Sequence, residues 1–151
     1  MSSITIEQVK TLRNKTGLSV ADVKKALSEA KGDEAKALEI LKKRGGDVAS
    51  KKSGRELKAG IIDSYIHGNR QSGCMIELHC ETDFVCRNEE FKTLAHDLAM
   101  HITAMKPANK EELLEQQFIK NPDQTIQDLI AAHIAKIGEN IQVGRFELFE
   151  L

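Results

Sequence analysis

Residues 74–86 concentrate the groups that could do chemistry: Cys74, Cys80 and Cys86 at a spacing of six, with His79, Glu81 and Asp83 among them. A thiol nucleophile with an imidazole base is the first chemistry such a set suggests. The pattern Met75-Ile76-Glu77-Leu78-His79-Cys80-Glu81 is an alternating strand, with Ile76, Leu78 and Cys80 on one face and Glu77, His79 and Glu81 on the other. That alternation sets Cys80 and His79 on opposite faces, so they do not form a dyad. The cysteine spacing fits neither a CxxC metal knuckle nor an even-numbered disulfide framework, which leaves reduced, structural thiols as the expectation. Elsewhere, His96 and His101 stand at i and i+5, where i and i+4 would suit a shared metal. His133 lies on an apolar stripe, as a satisfied core histidine does. No glycine-rich loop precedes a Lys-Ser or Lys-Thr pair, so no phosphate cradle is present. No cofactor and no metal are expected.

Thr82-Asp83-Phe84-Val85 follows the strand directly, placing a carboxylate beside a large aromatic ring. Asn88-Glu89-Glu90 then supplies an N-cap with acids in the first turn of a helix whose Phe91, Leu94, Ala95, Leu98 and Ile102 recur at helical spacing. Residues 82–87 are therefore read as a short strand-to-helix connector, a place where side chains serve partners more often than packing. Two readings stay open for these residues by themselves. Phe84 is presented to a partner, or Thr82 or Asp83 caps a turn while Phe84 folds back onto the sheet.

The elements that must position this connector can be traced along the chain. Thr5 with Gln8 makes a capping box for a first helix carrying Ile6, Val9 and Leu12 and ending at Gly17. Ser19 with Asp22 starts a second, carrying Val20, Val23, Leu27 and Ala30 and closed by Gly32; Asp33 opens a third through Ala37, Leu38 and Leu41 to Gly45-Gly46. Three short helices at this spacing make a bundle similar to ubiquitin-associated (UBA) domains, a size suited to docking rather than catalysis. Residues 46–56, rich in Gly, Ser and Lys, read as a linker able to keep some helical character. Beyond it, Gly60–His67 and Cys74–Glu81 form a hairpin across Gly68–Gly73, followed by the helix from Asn88. A modest helix over Lys110–Lys120, a break at Asn121-Pro122-Asp123, a strong helix capped by Thr125 and ended by Gly138, and a final strand Ile141–Glu150 complete the chain. The fold expected is α+β: a three-helix UBA-like bundle over 1–45, a linker over 46–56, and over 57–151 a small domain with a three-stranded antiparallel sheet covered by helices.

Composition limits the partners. With 22 basic and 23 acidic side chains in 151 residues, no global field advertises a nucleic acid. The run Lys42-Lys43-Arg44 with Lys51-Lys52 lacks interleaved aromatics for base stacking and reads as a solvated connector, so no specific nucleic acid is expected. No apolar run reaches membrane-spanning length and Met1-Ser2-Ser3-Ile4-Thr5 lacks a leader pattern, so the expected location is cytoplasmic, with no membrane partner.

Three segments carry a resemblance. Leu12-Arg13-Asn14-Lys15-Thr16-Gly17 with Asp22-Val23-Lys24-Lys25-Ala26-Leu27, then Cys80-Glu81-Thr82-Asp83-Phe84-Val85, then Lys136-Ile137-Gly138-Glu139-Asn140-Ile141, resemble in order the signatures of the elongation factor Ts family. The resemblance implies a nucleotide exchange factor, with no chemical reaction of its own, for the GDP-bound form of the translational GTPase elongation factor Tu. It implies that Asp83 and Phe84 form a tip pushed against the nucleotide site, that Thr82 and Val85 hold its shape, and that the tip dislodges the partner's Mg²⁺. It also implies partner contacts at Leu12, Arg13, Thr16, Gly17, Lys24 and Gly138.

The sequence departs from that family's pattern in places. Leu18-Ser19 stands where a small-residue pair is usual, Val23 where a cysteine is common, and a second related core subdomain is not seen before Leu151. Short family members pair two chains instead. The last strand, with Phe146 and Leu148 on one face and Phe149 and Leu151 on the other, predicts a homodimer built partly on it. The alternative function is a non-catalytic binding protein, either RNA- or ribosome-associated through residues 42–52 or a UBA-like adaptor acting through the head alone.

Overall fold

The structure, a computed structural model, describes residues 4–151. Met1, Ser2 and Ser3, which enter the leader reading and the start of the head, lie outside the described residues.

Local chemistry sets the head. Thr5 and Gln8 form the capping box that starts α1 (Ile6–Thr16), and Gly17 ends it at φ 68°, a left-handed value suited to glycine. Ser19 caps α2 (Val20–Glu29) and Asp33 caps α3 (Glu34–Lys52). Val9, Leu12, Val23, Ala26, Leu27, Ala37 and Leu41 bury one another in a small core of their own. Ile6 and Val20, expected on the apolar stripes, are exposed instead. Each sits in the first turn of its helix, beyond the edge of that core.

The third helix does not stop at Gly45-Gly46. It runs on to Lys52, through most of the segment read as a linker. A glycine inside a helix costs about 1 kcal/mol relative to alanine, and tertiary packing outweighs that here. Gly45 is buried, and a Cβ placed on it would lie 3.8 Å from the Ala131 backbone. Val48 and Ala49, one turn further on, pack against the second core. Two of the basic side chains are also engaged: Lys42 donates to the Asp123 carbonyl and Arg44 pairs with Glu29 at 2.5 Å.

β1 (Ala59–Ile66) and β2 (Ser72–Cys80) form the hairpin, and β5 (Gln142–Glu150) adds antiparallel to β2, giving the order β1-β2-β5. β2 is central and alternates as read, with Cys74, Ile76, Leu78 and Cys80 buried. A one-turn helix α4 (Asp83–Cys86) occupies the connector, and α5 (Glu89–Met105) covers β1 and β2 with Phe91, Leu94, Ala95, Leu98 and Ile102. The mixed helix-and-sheet architecture is the α+β fold expected.

The expected helix over Lys110–Lys120 stops early. α6 (Lys110–Glu115) gives way to a two-stranded ribbon, β3 (Gln117–Phe118) and β4 (Asn121–Thr125). Phe118 is buried as the ribbon's anchor. His101 on α5 holds it in place: Ile119 N–H donates to Nδ1 at 3.2 Å, which leaves Nε2–H to donate to Gln116 Oε1 at 2.9 Å. Thr125, in a capping box with Asp128, then starts α7 (Ile126–Ile137).

Where β5 crosses β2, Gly144 and Arg145 together oppose Glu77, between the pairs Ile76↔Phe146 and Leu78↔Val143, a bulge of two residues against one. Glu77 receives Arg145 through its backbone N–H at 2.8 Å, Nε at 3.0 Å and a terminal nitrogen at 2.9 Å. The Arg145 guanidinium holds the Glu77 carboxyl at about 2, from a usual 4.5. A depressed carboxyl adds stability that is complete above 4.5 and lost as pH falls toward 2. His101 also opposes acid, because burial lowers its pKa from 6.5 and the unfolded chain takes up the proton first. Urea midpoints measured against pH should therefore fall first below 6.5 and again between 4.5 and 2, and Glu77→Gln should flatten only the lower limb. An unchanged lower limb would refute the role given to this pair.

Candidate functional site

The tip is built by two consecutive caps. Thr82, in extended conformation at φ −132°, accepts the Val85 N–H on Oγ1 at 3.5 Å and starts α4; Asn88 Oδ1 accepts from Glu90 and Phe91 at 2.8 and 3.3 Å and starts α5. Between them Val85 turns inward and is buried, and Cys86 packs partly buried against the same core. Phe84 is 82% exposed and Asp83 is exposed beside it. Of the two readings left open by the sequence, Thr82 does cap a turn, but Phe84 does not fold back. The connector is thus one turn of helix that holds the Phe84 ring in solvent.

The base of the tip is gripped from a remote part of the chain. Gly138, at φ 86°, ends α7 with its N–H on the Ile134 carbonyl at 2.8 Å and turns the chain toward the sheet. Glu139 then accepts the Glu81 and Thr82 backbone N–H groups on Oε1, both at 3.1 Å, and the Thr82 hydroxyl on Oε2 at 2.7 Å. Reciprocally, Glu81 Oε1 accepts the Asn140 N–H at 2.8 Å and lies 3.6 Å from Arg55. Asn140 is buried and donates its side-chain amide to the Arg55 carbonyl at 2.9 Å. Charge-assisted bonds of this kind are about twice as strong as neutral ones, so the strand end is fixed where α4 begins. In the sequence Glu139 and Asn140 stand only as letters of a motif and Glu81 as an outward residue of the strand. Their pairing across some sixty residues left no local signal.

The head residues divide by exposure. Leu12 is buried in the head core, which leaves no surface for contact, whereas Arg13 on α1 and Lys24 on α2 are exposed. Thr16 is half-buried and donates its hydroxyl to the Leu12 carbonyl at 2.7 Å. A Cβ on Gly17 would stand 3.7 Å from Lys136 Nζ, which itself pairs with Glu90 at 2.6 Å. Thr16 and Gly17 thus face the last turns of α7 across a cleft of about 320 Å³ that Glu90, His133 and Lys136 also line. The end of α7 therefore joins the three motifs, with Lys136 beside Gly17 and Glu139 on Thr82.

His79 is half-exposed on the outer face while Cys80 is buried on the other. Among the described residues no group of three or more His, Cys, Asp and Glu could hold a metal ion, and no helix is long and apolar enough to cross a membrane.

Comparison with known proteins agrees with the motifs. A family model described as elongation factor TS matches residues 81–151. Elongation factor Ts of Carboxydothermus hydrogenoformans is 42% identical over 193 aligned positions, covering 98% of this chain and 89% of the relative. Those of Fervidobacterium nodosum and Thermodesulfovibrio yellowstonii are also 42% identical, over 95% and 99% of this chain. With that of Desulforamulus reducens the alignment covers all 151 residues here yet spans 196 positions, so 45 of them have no counterpart in this chain. Shared over nearly its whole length at this identity, the chain belongs to the elongation factor Ts family.

Proposed function

We propose that this protein is the guanine nucleotide exchange factor of elongation factor Tu in translation, acting in the cytoplasm and catalysing no reaction of its own. The observation that carries this reading is the exposed Phe84 on a one-turn helix whose base is fixed by Thr82, Val85 and Glu139. Asp83 and Phe84 enter the GDP-bound partner beside its nucleotide, and the head docks through Arg13, Thr16, Gly17 and Lys24. Gly138 contributes by turning Glu139 onto the tip. Residues 1–45 and 57–151 then act as two contact regions of one factor.

The intruding tip displaces the elements around the partner's Mg²⁺. That ion bridges the phosphates to protein, and its loss leaves anionic GDP poorly compensated. Coupling is reciprocal: a factor that loosens nucleotide is itself expelled when fresh nucleotide binds. The test is release of a fluorescent GDP analogue from purified elongation factor Tu. Acceleration at catalytic amounts supports the reading, and no acceleration at any concentration refutes it.

A homodimer is part of the same proposal. β5 pairs with β2 along one side only, and the outer face of the sheet carries exposed Ile62, Ile66, Met75 and Phe149, with Leu151 just beyond. Phe146 and Leu148 turn inward against the core, which leaves Phe149 as the side chain to alter. Sedimentation at micromolar concentration should give a dimeric mass for the wild type and a monomeric one for Phe149→Asp. A monomeric wild type would overturn it.

A further inference from the structure

Two of the three thiols meet around the tip. Cys80, the last residue of β2, and Cys86, the last of α4, bring their sulfurs to 3.4 Å, and the five residues between them include Asp83, Phe84 and Val85. We propose that Cys80 and Cys86 are a thiol modification site: Cys86 is the thiol that meets a disulfide-class oxidant, and Cys80 resolves the adduct into an intramolecular disulfide that staples α4 to the end of β2.

Accessibility assigns the order. Cys86 is partly exposed, its thiol directed at the Gly60 carbonyl at 3.4 Å, whereas Cys80 is buried. Burial and the neighbouring Cys86 sulfur push the Cys80 thiol up to about 12, so it is a poor first nucleophile. Attack of the Cys86 sulfur on oxidised glutathione forms one mixed disulfide and releases one glutathione, which carries away the Cys86 proton. Attack of the Cys80 sulfur on the Cys86 sulfur then breaks the mixed bond and releases the second glutathione with the Cys80 proton. In sum, two protein thiols are oxidised and one glutathione disulfide is reduced. Ring closure has to shorten the sulfur separation from 3.4 Å to about 2.05 Å, a small movement for two side chains already in contact. Cys74 provides an internal control, since it is buried six residues up the same strand with its sulfur near the Met75 carbonyl.

On the exchange reading, the resolving thiol would keep a bulky adduct off the tip; the modification itself can be read without that activity. The folded full-length protein is incubated with oxidised glutathione, quenched in acid, and analysed by intact mass and peptide mapping. Wild type should lose two hydrogens, keep no glutathione, fall from three free thiols to one, and recover all three with dithiothreitol. Cys80→Ser should instead retain one glutathione on Cys86. A stable adduct on wild type, a Cys74 linkage, or three untouched thiols in wild type would each overturn the proposal, whether or not the protein proves to be an exchange factor.

Discussion

Phe84→Ala is expected to slow the factor-stimulated release of GDP by about thirtyfold or more, while the thermal midpoint stays within error of the wild type. A phenyl ring that anchors an interface contributes about 2–4 kcal/mol to it, and each 1.4 kcal/mol is a factor of ten. The ring is 82% exposed in the free protein, so its truncation opens no cavity and leaves no polar group unpaired. Activity and stability should therefore separate cleanly, as judged by stopped-flow release of a fluorescent GDP analogue alongside calorimetry. Undiminished exchange by the mutant would transfer the mechanism from the tip to the head.

Glu139→Ala is the converse case, a residue that need not touch the partner yet should weaken both properties. Its carboxylate satisfies two backbone N–H groups and one hydroxyl at the foot of the tip. Removing it leaves the part-buried Glu81 N–H unpaired and returns the exposed Thr82 N–H and hydroxyl to water, which costs about 1 kcal/mol. The tip then samples other positions, so exchange should fall about tenfold or more even at temperatures where the fold persists. Glu139→Gln keeps one acceptor oxygen and should lie between. The measurement is GDP release at a temperature well below the mutant's midpoint. Full activity there would mean that α4 holds its place without the clamp.

Much of this arrangement was legible in the sequence because it rests on local chemistry. Thr5, Ser19, Asp33, Asn88 and Thr125 cap the helices they were expected to cap, and Gly17 and Gly138 end theirs in left-handed conformations. The alternation through Ile76, Leu78 and Cys80 gave the correct buried face. Features that depend on distant partners were not legible. Gly45 and Gly46 look like a helix stop until α7 lies against Gly45, and the ribbon at Gln117–Thr125 is too short for periodicity to reveal. Glu139 gives no sign, in its own neighbourhood, of the strand end it grips. Phe84 was undecided for the same reason: its exposure depends on whether the sheet has room for it, and Phe91, Leu94 and Leu98 already fill that space.

The unbroken third helix bears on how the two contact regions cooperate. Its first half is bedded in the head core through Ala37 and Leu41, and its second in the sheet core through Val48 and Ala49. Two binding surfaces joined by a floppy tether meet their second target at an effective concentration set by the tether's length, and it falls as the tether grows. A helix anchored at both ends replaces that distribution with one fixed spacing. On the proposed reading, a head held this way would already be in position once the tip engages, with little chain entropy left to lose. A partner whose two sites lie at another separation would then be refused, so that Gly45, which looks like a hinge, would help the molecule act as a gauge.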